Sequence, residues 1–278
     1  MTSPRLPTFF ISHGGGPWPW MTDRLAGRYD RLAAALRQMP HLVGVAPKAV
    51  LMISAHWEAP EFTAMAHPQP PMIYDYYGFP DYTYQIAYAA PGMPSLATRV
   101  HDLLEGAGIA ARLDAQRGFD HGMYAPMAVI YPNADMPTVQ LSLRHGLDPL
   151  EHLALGRALA PLRDEGVLII GSGLSYHNLR VFGPAGKAPS AAFDAWLRQT
   201  LADTDAARRS AALAAWEAAP SARQAHPREE HLLPLMVALG AAEHEPAALV
   251  YHEDDFAGGL SVSSFMFGGS QQAATETA

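Results

Sequence analysis

Five short apolar runs alternating with amphipathic helical stretches constrain the fold of this chain more than any other feature. PTFFIS, AVLMISAHW, MPTVQLSL, GVLIIGSG and AALVYHE read as strands, and SVSSFMFG as a closing one. Between them, RYDRLAAALRQM, SLATRVHDLLEGAG, PLEHLALGRALAPLRDEG and SAAFDAWLRQTLADTDAARRSAALAAWEAA carry apolar residues at three- and four-residue spacing, the period of a helix with one buried face. Near-continuous apolar strands separated by helices require a largely parallel sheet covered on both faces. No repeat and no Gly/Ser/Pro-rich linker interrupts the pattern. The expectation is therefore an α/β fold in a single domain over residues 1–268, with a mostly parallel central sheet, helices on both faces and long active-site loops. Residues 269–278, ending in QQAATETA, read as a flexible tail.

Composition removes several functions. The net charge is −8 and no long basic run occurs, which excludes nucleic acid and anionic membrane as main partners. The longest apolar runs, such as Val45 to Ile53, are too short to span a bilayer. MTSPRLPTFF lacks a signal-peptide apolar region, so the expected location is cytoplasmic. There is no cysteine, which excludes disulfides, thiolate nucleophiles, Cys-ligated zinc and iron–sulfur clusters. The thirteen histidines are then the borderline metal ligands that remain.

Three of them leave strands at the same sheet edge. His13 follows FFIS and opens HGGGPWPW, a segment with no capacity for helix or strand. His56 lies in SAHWE, and His177 follows GSGLSY. In open α/β sheets ligands bind beyond the carboxyl ends of the strands, so these side chains are expected to converge. His121, in GFDHGMYAPM, stands where a loop enters a helix. His231, in HPREEHLLPLMVALGAA, reads as first-turn, with the helix start signalled by Pro227, Glu229 and Glu230. His226 is a weaker, cap-region candidate. His41, His67, His101, His145, His152, His244 and His252 read as structural.

Neutral imidazole suits Fe(II), Zn(II), copper and nickel, and three protein ligands with open positions make a catalytic rather than a structural centre. A further, unligated histidine can move protons near neutral pH. Spacing does not name the metal: iron would offer its open positions to substrate and O₂, zinc to water. Serine hydrolysis is disfavoured, because GSGLSYH lacks the G-x-S-x-G elbow that an HGGG oxyanion loop would need. Residues 67–93 hold six tyrosines and five prolines and read either as a binding lid or as a rigid flap.

SHGGGP, SAHWE, GFDHGMY, SGLSYHNLR and HPREEHLLPL, in that order, resemble the class III extradiol ring-cleavage dioxygenases, in the DOPA-dioxygenase-like branch of the LigB-type superfamily. The resemblance runs from FFISHG to SVSSFMFG. It implies a non-haem Fe(II) enzyme that opens a catechol ring beside its two hydroxyls with both atoms of O₂, giving a muconic semialdehyde. It also implies His13, His56 and His231 as metal ligands, with Glu230 left open as an alternative to His231. His177 would be the acid/base, or a fourth ligand were Zn(II) bound, and His121 would contact substrate. Tyr74, Tyr76 and the PWPW segment are expected to wall the pocket, with Asp75 or Arg180 meeting a charged substituent. Beyond the aromatic substrate and O₂, the partners left open include a second copy of the chain, a homo-oligomer. A zinc-dependent hydrolase on the same scaffold is the rival reading.

Overall fold

The computed structural model describes residues 4–25 and 27–269. The tail expected over 269–278 lies, apart from Gly269, outside them. In chain order the elements are β1 (Thr8–Ser12), α1 (Asp30–Val43), β2 (Ala49–Ala59), β3 (Phe62–Met65), α2 (Pro94–Gly106) and β4 (Ala111–Asp114). They continue with α3 (His121–Ile130), β5 (Thr138–Arg144), α4 (Pro149–Leu159), β6 (Val167–Gly173), α5 (Lys187–Leu201), α6 (Ala206–Ala214), α7 (Ala222–Ala225), α8 (Leu233–Gly240), β7 (Ala247–Phe256) and β8 (Leu260–Phe267).

Among the described residues, eight strands join one sheet in the order β4-β3-β5-β2-β6-β1-β8-β7. Its centre is parallel: β5, β2, β6 and β1 run in one direction, as their buried apolar sequences require. Successive residues of β6 show that both faces are covered. A Cβ on Gly171 would meet Pro234 of α8, while the Ser172 hydroxyl donates to the Gly122 carbonyl of α3 on the opposite face. Local signals set the helix ends: Asp148 accepts from the backbone N–H groups of Leu150 and Glu151 to cap α4, and Gly44, at φ +75°, closes α1 in the left-handed region.

Two features depart from the sequence reading. The sheet carries antiparallel additions: β8 runs against β1, β7 against β8, and β3 against β5. The strands β3 and β4 have four residues each, and in β4, ARLD, none is fully buried, so neither shows a readable period. The helix expected to start at Pro227 starts at Leu233 instead, with Pro234 in its first turn. Glu229 and Glu230 therefore do not cap it, and His231 lies in the turn before it. Among the described residues no helix is long and apolar enough to cross a membrane.

Residues 67–93 contain no strand. They are held by a bridge between Met72 and Phe119, a 3-10 turn at Asp81–Tyr84, and their own tyrosines: Tyr74 donates to Ile86 O at 2.7 Å and Tyr76 to Thr83 O at 2.6 Å. The loop is thus a built wall, braced by its own tyrosines and by bonds to its neighbours, such as Ile73 N to Phe119 O and the Tyr88 hydroxyl to Tyr131 O.

At the end of β6 the chain admits no side chain: a Cβ on Gly173 would stand 2.1 Å from the carbonyl oxygen of His231. Gly173→Ala is expected to cost about 1–3 kcal/mol of stability, the usual penalty for forced overpacking. Gly106→Ala, which meets nothing within 4 Å at the end of α2, should be neutral or stabilising. Urea unfolding of the two variants checks the contrast.

Candidate metal centre

The site grows from the ends of the three adjacent strands β2, β6 and β1. His13 leaves β1 with its N–H bonded to Gly173 O of β6 at 3.1 Å, and Leu174 N donates at 3.1 Å to His231 O, which brings the turn before α8 to the same edge. Gly14 follows at φ +80°, and a Cβ there would collide with the Trp18 indole, whose N–H donates to His13 O at 2.7 Å. That contact answers why glycine must follow His13. On β2, pairing with β5 slips between Ile53 and Glu58, and His56 sits inside the slip. Such an irregularity bends a strand and re-aims its side chains.

Behind His56, the hydroxyl of Ser54 accepts from His56 N at 3.1 Å and donates to Asp120 at 2.7 Å. Asp120 is fully buried, which pushes its carboxyl up, although Ser54, Gln140 at 2.8 Å and Arg117 at 2.9 Å all donate to it. The next residue, His121, begins α3 facing the site.

Five histidines meet here. His13 Nε2 and His56 Nε2 are 3.3 Å apart, and ring centroids separate His231 from His13 by 5.2 Å and from His56 by 4.9 Å. His121 lies 3.9 Å from His56, and His177 stacks on His231 at 3.3 Å. By donor proximity they form two groups, His13–His56–His121 and His177–Glu230–His231. The expected triad of His13, His56 and His231 therefore straddles both.

Burial sets the charge of these rings. Desolvation, followed by the neighbouring imidazoles, pushes His13 and His231 well below the usual histidine range and lowers His56 to about 3, so all three are neutral at physiological pH. Burial also opposes ionisation of Asp75 and Glu230. Hydrogen bonds from His121 and His177 respectively outweigh it, and both carboxyls lie below their usual range. An ionised carboxylate only accepts. His121 Nδ1 at 2.9 Å from Asp75, and His231 Nδ1 at 2.9 Å and His177 Nδ1 at 3.1 Å from Glu230, therefore carry protons. A neutral His231 protonated at Nδ1 has a bare lone pair at Nε2, and that atom is buried with no partner, as is His13 Nδ1. The bare, buried Nε2 of His231 fits a borderline divalent cation, which would satisfy what the protein leaves unpaired there.

The histidines open into a cavity of about 730 Å³. Tyr76 lines it as expected, with Phe79, Phe182 and Phe256. Tyr74 does not reach it: its ring packs behind Tyr76, at 6.3 Å between centroids. Trp18 and Trp20 are also absent from the wall, Trp18 being stacked on Tyr29 at 4.9 Å. Asp75 lines the cavity but is engaged by imidazoles, and Arg180 does not line it. Sequence reasoning missed Arg28 and the Glu58–Arg228 ion pair at 2.6 Å, all on the wall. Glu58 stands two residues beyond His56, on the same side of β2, a signal that could have found it. His226, fully buried, donates to or accepts from nothing in the cavity; its Nε2 is 3.0 Å from Ser175 O.

An imidazole-lined centre at the carboxyl edge of a mixed α/β sheet, opening into an aromatic-walled cavity, defines a metal-dependent enzyme acting on a small aromatic molecule. Residues 8–266 match the family described as the catalytic LigB subunit of aromatic ring-opening dioxygenase. The chain belongs to this LigB family and is an extradiol ring-opening dioxygenase. It is 41% identical over 265 residues to 4,5-DOPA dioxygenase extradiol of Beta vulgaris, covering 94% of this chain and 96% of that one. With 4,5-DOPA dioxygenase extradiol of Escherichia coli (strain K12) it shares 34% over 274 residues, 96% and 97% of the two chains. The crystal structure of the uncharacterized protein JW3007 from Escherichia coli K12 superposes with a TM-score of 0.75 at 29% identity, over 95% of this chain and all of that one.

The buried neutral histidines make stability depend on pH. His56 and His226 titrate at about 3 and His152 at about 4 when folded, but near 6.5 when unfolded, so between these values the unfolded chain binds more protons. Stability is complete above about pH 6.5 and falls as pH drops toward 4, by up to about 1.4 kcal/mol per pH unit for each such group. Denaturant unfolding of metal-free protein at pH 7.5, 6, 5 and 4.5 should show a steepening loss; a flat profile down to pH 5 would contradict the burial of neutral imidazoles.

Proposed function

We propose that the protein is a non-haem Fe(II) dioxygenase that cleaves a DOPA-like or other substituted catechol beside its two hydroxyls. The reaction adds both atoms of one O₂ to the ring carbons of the broken bond, giving a muconic semialdehyde, and needs no further reductant. The observation that carries the reading is the bare, buried Nε2 of His231 beside the paired Nε2 atoms of His13 and His56. These three residues would hold the metal, which when bound supplies a common site for catechol and O₂. The names of the relatives support the catechol.

The remaining residues have separable tasks. His177, held at Nδ1 by Glu230, has Nε2 free to take a catechol proton and return it to the oxygenated product. His121, held at Nδ1 by Asp75, has Nε2 free to hydrogen-bond a ring hydroxyl. Phe79, Phe182, Phe256 and Tyr76 offer apolar faces to a flat ring and keep bulk water from it. Arg28 and the Glu58–Arg228 pair give the outer cavity charges of both signs for a polar ring substituent.

Anaerobically prepared protein loaded with Fe(II) should consume one O₂ per yellow product formed from a catechol in a panel including DOPA and protocatechuate. His13→Ala, His56→Ala and His231→Ala should each lose the metal. His177→Ala should keep it and lose about 10²- to 10⁴-fold in kcat. Bound iron without oxygen uptake on any catechol, or hydrolysis with zinc and indifference to O₂, would overturn the proposal.

A further inference from the structure

Two carboxylates, neither a metal ligand in the proposed function on which this inference rests, each address one metal-side and one substrate-side imidazole. Asp75 places Oδ1 at 2.9 Å from His121 Nδ1 and 3.0 Å from His121 N, and Oδ2 at 3.3 Å from His56 Nδ1. Glu230 places Oε1 at 2.9 Å from His231 Nδ1 and 3.1 Å from His177 Nδ1. The arrangement repeats on two unrelated segments: Asp75 comes from the tyrosine-rich loop, Glu230 from the turn before α8. In each case the carboxylate lies on the Nδ1 side of both rings, which leaves both Nε2 atoms for the cavity.

We infer that Asp75 and Glu230 are positioning residues that act as forks, each fixing the tautomer and the relative orientation of a ligand histidine and a proton-handling or substrate-contacting histidine. Carboxylates at the far nitrogen of a ligating imidazole orient the ring and raise its basicity. The fork adds a second consequence. Because one carboxylate serves both rings, the ligand cannot turn without moving its partner, so metal position and proton-transfer geometry are set together. For Asp75 the coupling extends to the tyrosine-rich loop, which the bonds of Tyr74 and Tyr76 make self-supporting. The loop thereby delivers a metal-orienting group from outside the sheet, a role for this segment distinct from covering the substrate. The Oε2 of Glu230 makes no hydrogen bond and lies 3.6 Å from Arg228, a charge contact only; Arg228 is bound to Glu58, two residues beyond His56.

The test combines metal affinity with a double-mutant cycle on the full-length protein. Asp75→Asn and Glu230→Gln keep the shape but replace one accepting oxygen by a donor. Each should weaken anaerobic Fe(II) and Co(II) binding about 10- to 100-fold while far-UV circular dichroism stays unchanged. Each should shift the visible spectrum of the Co(II) form. In activity, kcat should fall more than KM changes, and the losses from Asp75→Asn and His121→Ala, and from Glu230→Gln and His177→Ala, should be strongly non-additive because each pair acts as a unit. Asp75→Ser and Glu230→Asp serve where the first variants fail to fold. Wild-type-like metal affinity and additive kinetic losses would overturn the forks while leaving the dioxygenase reading intact. Complete metal loss in Glu230→Gln, matching His231→Ala, would make Glu230 a ligand and overturn its role as a fork. Retention of metal by His13→Ala and His56→Ala would instead overturn the ligand set and the inference with it.

Discussion

Burying uncharged imidazole is the constraint on which the rest of this structure depends. A histidine taken out of water loses its proton more readily, and His13 and His231, both almost wholly inaccessible, are held neutral for that reason. The Nε2 of His231 then offers a lone pair that the protein does not satisfy, and a buried polar atom without a partner costs about 1–3 kcal/mol. A divalent cation removes that cost and would gain ligands that need no deprotonation. The ionised carboxylates of Glu230 and Asp75, at the Nδ1 atoms of His231 and His56 respectively, leave the Nε2 lone pairs of those two rings facing inward. Burial, tautomer and metal readiness are one device here.

The fold supplies the meeting point. Parallel β2, β6 and β1 end side by side, and residues just past or near each end inherit adjacent positions. Close backbone approach does the rest. Glycine at 173 lets the turn before α8 lie against β6, and glycine at 122 leaves room for His56, since a Cβ there would come within 2.9 Å of its ring. The antiparallel strands β7 and β8 extend the sheet beyond β1, with the Ser264 hydroxyl of β8 accepting from Ser12 N at 3.0 Å, one residue before His13.

Much of this was legible in the sequence. The apolar runs gave the parallel core, and the positions of His13 and His177 beyond β1 and β6 located the edge where they meet; His56, expected to leave its strand, lies inside β2 at the slip in its pairing with β5. What stayed hidden has physical causes. Strands of four residues, such as ARLD, carry too little period to distinguish from loop. The start of α8 was misread because Pro227, Glu229 and Glu230 imitate a helix start, whereas Pro234 marks the true one. Tyr74 and Tyr76 are indistinguishable by composition, and only the folded loop separates the one turned to Ile86 from the one lining the cavity. Asp75 looked like a substrate contact because spacing cannot reveal that a residue 46 positions before His121 binds it.

The most direct measurement is anomalous diffraction at the iron edge from crystals grown and loaded with Fe(II) under anaerobic conditions. One peak is expected within bonding distance of nitrogens from His13, His56 and His231, with His121 and His177 unligated and still joined to Asp75 and Glu230. A peak coordinated by His177 and Glu230, or by His121 in place of His231, would contradict it.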